Sequence, residues 1–171
     1  MDQLDTSSWI EELALQEINM EESGIIDFNN HLNPDYLLEE SSVKFMERLR
    51  EAFEIYAHKF NELRGGIDNS AQIKIFKISN TVNDFMLFRN SLKLVVARET
   101  PSLITIGFMS NTGGVFSARV NSSLSAESNA HEIKAHVGPF NKITWRFSGE
   151  LVEVDSLVRH YLTEFVKHFA R

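Results

Sequence analysis

Six histidines are the residues best suited to metal or proton-transfer chemistry in this chain, and their spacing argues against both. His131 and His136 lie five apart on or beside a predicted strand, so they point to opposite faces. His160 and His168 lie eight apart on a predicted helix, about 80° offset at roughly 100° per residue. Neither is the i, i+4 pair that chelates a metal from one helix face, and the chain has no cysteine. Asp84, Glu99 and Glu132 are isolated acids with no partner in the sequence. Gly65-Gly66 and Gly113-Gly114 lack the further glycines and the lysine of a phosphate loop, so they read as turns. There is no Gly-x-Ser-x-Gly elbow. The residues therefore nominate no catalytic group, no metal and no cofactor, and the chain reads as non-enzymatic.

What remains is charge. The first 43 residues carry eleven carboxylates and no Lys or Arg, while the other 128 hold 17 bases against 13 acids, about +4. The net charge of −7 hides an acidic arm on a mildly basic body. Such asymmetry points to interaction. The arm is also apolar. Trp9, Ile10, Leu13, Ile26 and Phe28 are its candidate partner-binding residues, because burial of apolar area supplies affinity that exposed charges do not.

The body offers a matching feature. Along several predicted strands one alternating set is apolar: Leu92, Leu94 and Val96; Ile133, Ala135 and Val137; Ile143, Trp145 and Phe147. The other set holds Lys93, Arg119, Lys134, His136 and Arg146, with Ser117 and Thr144. Successive side chains of a strand alternate between faces, so these bases share one surface. Lys74 and Lys77 differ in parity and cannot both join it. The plain reading is a solvated face of an antiparallel sheet. The functional reading is a basic platform for an acidic peptide or a nucleic acid. Phe76, Phe85, Phe88, Phe108, Phe116 and Phe147, lying near bases such as Arg89, fit a stacking surface for single strands, but a Phe-rich core gives the same pattern.

The elements that must position these residues follow from periodicity. A short helix is predicted over residues 6–19, capped by Thr6, Ser7 or Ser8, with a break at Ser23-Gly24. Residues 25–40 have no clear period, and Pro34 argues for an extended segment with turns. Residues 42–64 form the clearest helix, with Met46, Leu49, Phe53, Tyr56, Phe60 and Leu63 on one face, Ser41 or Ser42 as cap and Gly65-Gly66 as stop. The period then becomes two. Strands are predicted at 72–79, 84–97 (folding back near Arg89-Asn90-Ser91), 102–109, 114–120, 131–137 and 142–148. A closing helix over 154–170 carries Val154, Leu157, Val158, Tyr161, Leu162, Phe165 and Phe169 in one stripe.

The expected fold is α+β: an antiparallel meander of about seven strands with two long helices on one face. An arm of residues 1–41 precedes a single domain of residues 42–171. With 43% apolar residues and 13 Phe, a body of this size can build a dry core. No stretch approaches the roughly 18 consecutive apolar residues of a membrane span, and the acidic start differs from a signal peptide. A soluble, cytoplasmic protein with no membrane partner is expected. The leading reading is a binding or adaptor module whose arm engages a protein partner or folds on its own body until displaced. A nucleic-acid-binding domain masked by the arm is the second reading, and a small-ligand carrier or enzyme with a pocket between sheet and helices the third.

Overall fold

The computed structural model describes residues 7–26, 32–65, 71–110, 115–116 and 130–167. They fall into two compact units, Met1–Asn33 and Pro34–Arg171. The first holds helix α1 (Ser8–Ser23). Ser7 stands at its N-cap without a side-chain bond, and Gly24 closes it at φ 68°, donating its N–H to Met20 O at 2.9 Å. A left-handed closing residue favours glycine because a Cβ clashes there. None of the residues of α1 is buried.

The second unit opens with α2 (Pro34–Arg64). The helix begins eight residues before the predicted start, so residues 34–40 are helical where an extended segment was expected. The reason is chemical. Proline is excluded from helix interiors but suits the first turn, where its missing N–H would have no partner and its φ is already helical. Ser41 and Ser42 are therefore interior residues and not caps. Ser42 is fully buried, and its hydroxyl donates to Glu39 O at 2.8 Å while accepting Arg98 Nε at 2.7 Å. Ser41 Oγ accepts Trp145 Nε1 at 3.1 Å. Both hydroxyls tie the helix to the sheet.

Among the described residues eight antiparallel strands follow: β1 (Lys74–Lys77), β2 (Phe85–Arg89), β3 (Leu92–Thr100), β4 (Leu103–Ser110), β5 (Val115–Phe116), β6 (Ala130–Val137), β7 (Ile143–Phe147) and β8 (Glu150–Leu151). Their order is β1-β2-β3-β4-β6-β7-β8, with β5 also paired to β4. The antiparallel meander is as expected except that β4 pairs β6 directly, with the two-residue β5 off the main path where a longer intervening strand was expected, and that β8 is added. Asn90 makes the β2–β3 turn at φ 55°, where the fold-back was predicted. Ser148 and Gly149, at φ 50° and 84°, form the two-residue turn between Phe147 and Glu150 that the sequence reading missed. Helix α3 (Val154–Lys167) closes the fold.

The inner ladders are Ile75–Leu87–Leu94–Phe108 and Phe85–Val96–Ile106–His131. On them sit Met46, Leu49 and Phe53 of α2 and Val158, Tyr161 and Phe165 of α3, all in one core. Phe53 meets Phe85 edge-on at 5.9 Å, Phe45 stacks on Trp145 at 5.0 Å, and Phe108 stacks on Phe165 at 6.4 Å. The α2 stripe turns away from its predicted line near the C-terminus. Ala57 is buried instead of Tyr56, and Leu63 is exposed. Tyr56 lies at the helix edge and donates its hydroxyl to Asp155 Oδ1 at 3.2 Å, joining α2 to α3. Of the α3 stripe, Phe169 lies outside the described residues.

Candidate functional site

Both long helices cover one face of the sheet, and the pairing register shows what the other face carries. Lys74 pairs Phe88, Phe88 pairs Lys93, and Lys93 pairs Met109. The next ladder runs Phe76, Met86, Val95 and Gly107. A third runs Leu103, Lys134, Arg146 and Leu151. Directly opposed residues project to the same side, so Lys93, Lys134, His136 and Arg146 lie together on the open face, as their parity predicted. Lys74 joins them, and Lys77, opposite Phe85, belongs to the helix side. Arg119 lies outside the described residues.

This face is less basic and more apolar than its sequence suggested. Glu132 Oε2 sits 3.3 Å from Lys134 Nζ. Glu99 Oε1 accepts the hydroxyl of Thr105, whose own pair is Glu132, so a second carboxylate belongs to the same side. Among the described residues, four cations thus stand against two acids on this face. Between them runs an apolar strip of Phe76, Met86, Phe88, Val95, Leu103 and Met109, with Phe76 at 45% and Met109 at 37% exposure. Only Phe76 and Phe88 were singled out from sequence. The signal for the rest was present: residues 84–97 and 102–109 are apolar at both parities, as in a strand that is dry on both sides. Of the other aromatic candidates, Phe85 and Phe108 are core, Phe147 faces the helices, and the side chain of Phe116 lies outside the described residues. Phe140 lies in the short turn between β6 and β7. It is fully exposed with φ 57°, a conformation uncommon for a bulky side chain.

The arm residues Trp9, Ile10, Leu13 and Ile26 are all exposed, Trp9 at 62%. Phe28 lies outside the described residues. Within its own unit, helix α1 leaves these apolar side chains unburied, among Glu11, Glu12, Glu17, Glu21 and Glu22.

His131 and His136 divide as their spacing required, and His168 lies outside the described residues. His136 is on the open face and His131 on the helix side. His131 Nδ1 is hydrogen-bonded to Tyr161 Oη, and its ring meets Phe147 edge-on at 5.4 Å. His160 meets Tyr161 edge-on at 5.3 Å. Burial, and then the nearby His160, lower the pKa of His131, and burial raises that of Tyr161. These groups border a cavity of about 330 Å³ whose apolar walls include Ile133, Phe147 and Leu157. Among the described residues no three His, Asp or Glu side chains come together as metal ligands, and no helix is long and apolar enough to cross a membrane. Comparison with known families, with curated proteins and with solved structures finds no match to this chain.

Proposed function

We propose that this protein is a non-enzymatic protein-binding module whose open sheet face docks acidic-apolar segments. One observation carries the reading: the apolar strip from Phe76 to Met109 is rimmed by Lys74, Lys93, Lys134 and Arg146 and is left uncovered by α2 and α3. A segment with carboxylates beside large apolar side chains complements it, and α1 of the same chain is such a segment. The arm is then an in-chain occupant that a partner's segment displaces. Tethering raises its effective concentration to the millimolar range for a short flexible link, so a weak contact is enough. Exposed ion pairs contribute about 0–1 kcal/mol each, and the apolar side chains supply most of the affinity. The exposed Phe140 adds an anchor of the type that dominates protein interfaces.

A second reading has its own observation. Phe76 and Phe88 share the open face with Lys74 and Lys93, and exposed aromatics beside bases also stack single-stranded nucleic acid. Glu99 and Glu132 on that face weigh against it.

The test is fluorescence anisotropy with residues 34–171, a compact unit by itself, as binder. The ligands are a labelled peptide of residues 7–26 and a labelled single-stranded oligonucleotide, at about 0.05 and about 0.5 M salt. Saturable peptide binding that weakens modestly with salt and is lost in Phe76→Ser/Met109→Ser supports the first reading. Oligonucleotide binding that collapses with salt, without peptide binding, supports the second.

A further inference from the structure

The cavity beside α3 is separate from the open sheet face and is built differently. It lies on the helix side, where the end of the meander meets the first turns of α3. Its volume, about 330 Å³, falls at the lower end of the range of roughly 300–1,000 Å³ typical of small-molecule sites. Its walls are mostly hydrocarbon and ring; the hydrogen-bonded pair of His131 and Tyr161 lies among them, and Ser156, His160, Glu150 and Glu153 are further polar lining residues.

The hydrogen count of this pair sets the ligand chemistry. A neutral imidazole carries one N–H and a phenol one O–H. The mutual bond between Nδ1 and Oη uses one of the two, whichever group donates. The other hydrogen remains on Nε2 or on Oη and is not used by the bond within the pair. Both residues line the cavity, so an acceptor arriving there completes the pair. Glu150 and Glu153 also line the cavity and oppose an anion.

We propose that this cavity binds a small uncharged molecule with a flat apolar body and one hydrogen-bond acceptor, a carbonyl or ether oxygen held by the His131–Tyr161 pair. The flat body lies against the rings of Phe147 and Tyr161 and the side chain of Leu157.

The test uses the full chain and a neutral fluorescent naphthyl ketone, 6-propionyl-2-(dimethylamino)naphthalene, with anilinonaphthalene sulfonate as the anionic comparison. The expected result is a saturable blue shift of the ketone at one molecule per chain, with the sulfonate bound at least about tenfold more weakly, a difference of about 1.4 kcal/mol. Leu157→Trp fills the space and abolishes ketone binding, and Phe76→Ser on the open face leaves it unchanged. Tyr161→Phe and His131→Phe each keep one hydrogen on the pair, so either alone changes affinity little. The double variant loses about tenfold. Ring-proton NMR of the unmodified protein avoids any effect of substitution on folding: the ketone shifts the signals of His131 and His160 and not those of His58 or His136. Absence of saturable ketone binding, binding indifferent to Leu157→Trp, or histidine shifts confined to His58 and His136 overturns the proposal.

Discussion

His131 shows how one side chain couples the core to pH. Burial and the neighbouring His160 hold its folded-state pKa below the ordinary 6.5. The unfolded chain therefore binds the proton more readily than the fold. The sign follows directly: stability is unaffected above about pH 6.5, falls as pH drops below that value, and levels off once the lowered pKa is passed. Thermal melts at about pH 7.5 and about pH 5.5 check this, because His131→Gln removes the titrating group and should show a smaller acid loss than the unmodified protein. At Phe53 the argument is steric. The side chain is fully buried between α2 and Phe85. Phe53→Ala should cost about 3–5 kcal/mol by chemical denaturation. A loss below about 1 kcal/mol would mean that this helix face does not form the core.

Among the elements, the strands were legible and the start of α2 was not. Period two over residues 72–148 set the meander, and Asn90 marked a hairpin, because a strand half-covered by helices must alternate and a tight turn needs a residue that tolerates positive φ. Residues 34–40 hid their helix because the helix runs past the edge of the core, so its first turns show no apolar stripe. The pair Asn33-Pro34 suits a cap followed by a first helical position, and that pairing was a readable signal outweighed by the proline. These early turns hold the sheet. Arg98 pairs with Glu39 and Ser42, and Trp145 donates to Ser41. Removing residues 34–41 should leave the guanidinium and the indole with fewer partners, at a cost of about 1–3 kcal/mol. A chain of residues 42–171 should melt at least about 4 °C below one of residues 34–171. Equal melting temperatures would mean that the added turns are passive.

For the whole molecule, the proposed docking rests on the charge split read from the sequence and on the open face seen in the structure. The basic platform was legible through strand parity. Its apolar centre was not, because strands dry on both faces cannot be told from strands buried within a core. The His131 cavity left no sequence signal: its lining is drawn from successive elements between residues 131 and 161, as residues at no spacing that a motif would mark. The central claim is that acidic-apolar segments dock on the open face. Methionine methyl NMR reads this directly. Met86 and Met109 lie on that face, and Met46 is buried in the core as an internal reference. Adding a peptide of residues 7–26 to residues 34–171 should shift the Met86 and Met109 methyls and leave Met46 in place. The full chain should already show the shifted positions, which Trp9→Ala/Leu13→Ala returns to those of the free body. Met86 and Met109 signals that are identical in all these samples would contradict the account.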